Sequence, residues 1–244
     1  MSAQTSYGVS PLAATTNAPN VNVVGLTRGT GVGTSGTAAS GGAWGGNGFD
    51  AASETAAVTA IDFATFGITA NSGFKVSFSS VSRLDYRRSG SGPATGVMQY
   101  QINTGAFVTF ATNAYTSSAG SGAALAAIDL AGISALQNLG PGTNVTFRIV
   151  NYGGAAGGTW YIYDVVDGPA PDLAVSGTVT PLTGPPASAP TLTLFSLATN
   201  QMQFTLTGTT SSNYVIEVST DPLRRSRVLR EETARAPVAC SRNS

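Results

Sequence analysis

The chain has 244 residues, 42% of them hydrophobic and only 10% charged, with 30 glycines, one cysteine and no histidine. Lack of histidine excludes Ser-His-Asp and Cys-His catalysis, imidazole acid–base chemistry and His-ligated metals, and a lone Cys240 excludes an internal disulfide or a thiolate metal site. Residues 1–223 carry six basic and ten acidic side chains (−4), and residues 224–244 carry six arginines against Glu231 and Glu232 (+4), so the main body lacks the clustered basic face that nucleic-acid binding needs.

Residues 1–20 are polar, with neither a charged n-region nor an apolar h-region, and are expected to form a mobile lead-in rather than a secretory signal. No run of 18 apolar residues is present, so no transmembrane helix is expected. Strand signals broken by Gly and Ser clusters continue from Val21 to about Thr180. The glycine-rich stretch 27–50 is not followed by Gly-Lys-Ser/Thr or by a helix, which points to a loop or irregular sheet edge and away from a phosphate cradle. Alternation places Phe74, Val76 and Phe78 on one face, Met98, Tyr100 and Ile102 on another, and Val145, Phe147 and Ile149 inward with Thr146 and Arg148 outward. "TWYIYDVV" is apolar or aromatic on both faces, and "DLAVSGTV", 172–179, closes the series. Ile133, Leu136 and Leu139 predict a helical turn stopped by Gly140-Pro141-Gly142. The fold class is therefore all-β, a sandwich over residues 21–180.

"TPLTGPPASAP" holds four prolines in eleven residues and predicts a linker over 181–190. A second β module follows over 191–221, with strands at 191–197, 201–207 and 213–219, and a basic tail without alternation fills 222–244.

Two groups of residues are candidates for function. In "SRLDYRRSGSGP", alternation turns Leu84 and Tyr86 inward, Asp85 and Arg87 outward, and leaves Arg88 at the inward-facing end of the strand. Arg88 with Arg87 forms either a ligand clamp at the sandwich rim or a scaffold tie that holds the Ser89–Gly92 loop through a carboxylate or carbonyls, the second being favoured. Tyr86, Tyr100, Tyr152, Trp160, Tyr161 and Tyr163 supply flat faces on which sugar rings can stack, although strands also enrich aromatics for packing and Trp160 is expected in the core. No local motif suggests the paired carboxylates of glycoside hydrolysis, and Asn144-Val145-Thr146 is a formal glycosylation sequon.

"DYRRSGSGPATGVMQYQIN", "IDLAGISALQNL", "VTFRIVNYGGAAGGTWYIYDVV" and "DLAVSGTV", in that order, resemble the jelly-roll β-sandwich modules of large secreted or surface proteins of environmental bacteria, which carry sorting signals or autotransporter parts. Residues 190–220 are similar to the opening of a fibronectin-type-III-like module, cut short by the arginine-rich tail as by a truncated or frame-shifted end. The resemblance implies a non-enzymatic structural or adhesive module, extracellular or at the cell surface, with glycans or neighbouring surface proteins as partners and strand edges open to self-association. Its alternatives are a carbohydrate-binding module and an accessory domain of a secreted hydrolase. "WYIYDVV" also resembles a last-strand motif whose Asp helps hold a structural calcium ion. Asp164 would then share the ion with Asp50, Glu54 or Asp62 and loop carbonyls, or would instead pair with an arginine such as Arg88.

Overall fold

A computed structural model describes residues 7–34, 43–165 and 170–182 with their side chains and, beyond them, the backbone of four strands. The chain divides into two units, 1–182 and 183–244. The first contains β1 (Val21–Arg28), β2 (Ala43–Asn47), α1 (Glu54–Ala60), β3 (Phe63–Ala70), β4 (Phe74–Arg88), β5 (Thr95–Ile102) and β6 (Val108–Ala114). It continues with the short β7 (Ala123–Ala124) and β8 (Ile128–Asp129), a 3-10 turn at Ser134–Leu136, β9 (Asn144–Tyr152), β10 (Thr159–Tyr163) and β11 (Leu173–Pro181).

These strands make an antiparallel sandwich. One sheet has the order β1-β3-β9-β5-β6; the other runs β11-β4-β10-β2, with β7 and β8 also on β4. Residues of β4 pair with two neighbours at once: Ser80 faces both Ser176 and Asp129, and Tyr86 faces both Ile162 and Ala123. β10 and β11 therefore lie along one side of β4, and β7 and β8 along the other. The interleaved orders β3-β9-β5-β6 and β2-β10-β4-β7/β8 make the sandwich a jelly roll.

The inward faces carry the expected residues. Val145, Phe147 and Ile149 are fully buried, Met98 and Tyr100 lie beside them, and Trp160 and Ile162 face them from the other sheet. Phe147 stacks on Phe66 at 5.1 Å and meets Phe78 edge-on at 5.3 Å. Register shifts opposite Val81–Arg83 and Phe78–Ser80 break the alternation of β4 twice, so Val76, Phe78, Val81, Leu84 and Tyr86 all reach the core.

Three expectations are corrected. Residues 7–20 are not a free lead-in: Tyr7 is buried, Leu12 and Leu26 exchange backbone hydrogen bonds along the free edge of β1, and the Trp44 indole donates to the Val9 carbonyl at 2.8 Å. Gly25 permits this close approach, because a Cβ there would stand 2.1 Å from the Leu12 carbonyl oxygen. A helix, α1, interrupts the strands. The Ser53 hydroxyl caps it by accepting from the Ala56 amide at 3.2 Å, an alanine-rich turn propagates it, and Ile61 ends it in the left-handed region. Asp85, expected on the solvated face, is fully buried.

In the second unit, β12 (Thr191–Ser196) pairs with β13 (Met202–Thr207), and β14 (Asn213–Glu217) pairs with β15 (Arg227–Glu231). The tail expected to be irregular thus supplies a strand at 227–231. The linker expected at 181–190 lies outside the described residues beyond Leu182, as does the end of the tail beyond Glu231.

Candidate functional site

The sequence candidates separate into three neighbourhoods. At the end of β4, the Arg88 guanidinium donates to the carbonyls of Tyr115 (2.7 Å), Gly92 (3.2 Å) and Ser89 (3.3 Å). The Ser89 hydroxyl accepts from the Thr159 amide at 3.0 Å, closing the loop onto β10. Arg88 therefore organises backbone, as a planar fork with five donors is suited to do, and its hydrogen bonds go to carbonyls rather than to Asp164.

Arg87 points the other way, over the outer face of the β2-β10-β4 sheet, with its guanidinium carbon 5.3 Å from the centroid of the Tyr163 ring. Tyr161 shares that face, but Tyr7 stacks on it at 5.8 Å and 25°, and both are buried. Burial pushes the Tyr161 hydroxyl up from its ordinary pKa, against a hydrogen bond with Thr159 that lowers it. The aromatic surface left open there is the half-buried Tyr163 beside Arg87. Tyr100 belongs to the interior, tilted against Phe110, while Tyr86 and Trp160 both pack on the buried Tyr115. The structure thus joins Arg87, Tyr161 and Tyr163 and separates Tyr100 from them.

The third neighbourhood is acidic. Arg83 binds one oxygen of Asp85 twice, through Nε at 2.7 Å and Nη2 at 2.5 Å. The Asp85 amide donates to the Asp172 carbonyl at 2.8 Å, where the chain passes from β10 to β11. Asp85, Asp164 and Asp172 each keep a buried oxygen, Oδ1, without a hydrogen-bond partner. Burial raises the Asp172 pKa, and the charges of Asp164 and then Asp85 raise it further, with Arg83 opposing. Asp172 opens the stretch "DLAVSGTV", where alternation marks only a strand, so nothing in the sequence singles out its carboxylate.

Asp50 and Glu54 are placed elsewhere. Asp50 acts on Asp62, whose carboxyl is raised first by burial and then by that charge. Glu54 accepts from the Gln99 amide at 2.5 Å, and Gln99 in turn accepts from Arg148 at 2.8 Å beneath Phe107. Arg148, expected outward and solvated, is buried against this network. The acidic set expected around a calcium ion is therefore not brought together. Among the described residues no three His, Cys, Asp or Glu side chains are grouped to hold a metal ion, and no helix is long and apolar enough to cross a membrane.

Compared with models of protein families, with curated proteins and with solved structures, the chain matches none.

Proposed function

We propose that this chain is a non-enzymatic structural or adhesive module of an extracellular bacterial surface protein, in which a jelly-roll spacer is followed by a fibronectin-type-III-like unit. The observation that carries this reading is where the aromatic side chains lie. Tyr86, Tyr100, Tyr115, Trp44 and Trp160 are buried in packing, and the arginine most able to clamp a ligand, Arg88, is taken up by three carbonyls. A sugar-binding face needs several open rings; here Tyr161 is covered by Tyr7, leaving Tyr163 with Arg87. Contacts with neighbours would then run through sheet edges and broad faces, with no substrate turned over. A glycan array probed with the full chain tests the reading. The expected result is weak, unselective signal that is the same in Tyr163→Ala and Arg87→Ala. Strong selective binding that both substitutions abolish would establish a carbohydrate-binding module instead.

A further inference from the structure

A cavity of about 600 Å³ lies between the two sheets on the side where β1 and β11 are the edge strands. Trp44, Phe66, Phe78 and Ile162 line its depth, residues 12–18 run along it, and Asp164 and Asp172 stand among its lining residues. The volume is that of a small-molecule site, and the lining is mainly apolar with few polar groups, as such sites usually are.

The carboxylates define the chemistry. Asp172 is 6% exposed, and both Asp164 and Asp172 keep an oxygen without a hydrogen-bond partner. The nearby cation, Arg83, is engaged by Asp85, and among the described residues neither Asp164 nor Asp172 has an ion pair. Unpaired buried carboxylates are costly, and a cation with N–H donors relieves that cost. A calcium ion takes six to eight oxygens, and among the described residues no three acidic side chains are grouped to hold one. A fatty acid would set a third negative charge against two others. We infer that the cavity binds an amphiphilic primary amine, its ammonium at Asp164 and Asp172 and its hydrocarbon body against Trp44, Phe66 and Phe78. Burial and the charges of Asp164 and Asp85 raise the Asp172 pKa, and Arg83 opposes them only in part. This inference is independent of the structural or adhesive reading, which concerns the outer faces and edges.

The test uses the full chain with n-octylammonium, n-octanol and octanoate, followed by titration calorimetry and by tryptophan fluorescence, since Trp44 lines the cavity. Octylammonium is expected to bind with a fluorescence change, at least about tenfold more tightly than either analogue, or about 1.4 kcal/mol. Asp172→Asn and Asp164→Asn should each reduce that preference to about threefold or less while leaving octanol binding in place, as removal of one charge-assisted contact requires. Three results would overturn the inference: octanol binding as tightly as octylammonium to the unaltered chain, no saturable binding of any of the three, or an amine preference unchanged in both variants. The first two need no variant to fold.

Discussion

The two long sides of the sandwich are closed by different means. On the β7/β8 side, residues 123–139 insert side chains between the sheets: Leu130 and Leu136 are fully buried, with Ile128, Ile133 and Leu139 packed beside them. Gln137 donates to the carbonyls of Phe78 (2.9 Å) and Leu130 (3.1 Å) from within this run. On the β1/β11 side the covering segment is "LAATTNA", 12–18, in which Leu12 is the one large apolar residue. Alanine, threonine and asparagine are too small or too polar to fill the space, so the segment lies across the opening and a cavity remains beneath it. Sealing a sheet edge with backbone and filling it with side chains are separable tasks, and this molecule performs both on one side and only the first on the other.

Substitutions can break that contrast or sharpen it. The largest effect is expected from Leu136→Ala, about 4 kcal/mol, because a filled site becomes a void. Ile68→Ala on the cavity side should cost about 1.5 kcal/mol or less, because it enlarges a space already present. Urea unfolding followed by tryptophan fluorescence measures both, since Trp44 and Trp160 lie in the sandwich. Equal losses would mean that the two sides are equally packed. Next comes Gly25→Ala, expected to cost about 2 kcal/mol because the new methyl meets the Leu12 carbonyl and must push the covering segment away. Faster proteolysis between residues 12 and 18 is its second readout, and an unchanged cleavage rate would show that the segment does not rest on β1.

The smallest effect concerns charge. The Asp172 carboxyl titrates above its ordinary value in the folded chain, so its ionised form is the one penalised by folding. That penalty is complete above the folded pKa and vanishes as pH falls below the unfolded value of about 3.9. Asp172→Asn should therefore be the more stable protein at pH 7, by less than about 1 kcal/mol, with the difference closing toward pH 4. Asp85, Asp164 and Arg83 are the groups that face it. A variant no more stable than the original at pH 7 would show that Asp172 is not strained by its charge.

Most of the sandwich was legible because its strands alternate. The inward parity of β4 was recovered at Leu84 and Tyr86 only because its two register shifts cancel; between them Val81 reverses the pattern, which no periodicity shows. Helix α1 had a readable signal, Ser53 before an alanine-rich turn, but its neighbours are strands and the segment is one element long. The packing role of Tyr7 was not legible, since it depends on Arg28, whose Nε donates to the Gly45 carbonyl at 2.6 Å and whose Nη2 donates to the Tyr7 and Gly8 carbonyls. Of the candidate residues, the tie made by Arg88 followed from strand position and donor count. The acidic neighbourhood did not, because Asp85 of β4 meets Asp164 and Asp172 from the β10–β11 connection, about eighty residues later in the chain, and Asp50 and Glu54 lie elsewhere.

The long strand β4 has a consequence for how the chain acquires its shape. It pairs with β7, β8, β10 and β11, all later in the sequence, and β2 must wait for β10. Val76 meets Val179 and Gly46 meets Trp160, partners separated by about a hundred residues, a topology that slows folding toward the millisecond-to-second range. During synthesis β1 can pair with β3 early, whereas β2 has no partner until β10 is made and the β11 side of β4 stays open until Pro181. The sheet of β4 is thus completed only by β11, the latest strand of the first unit.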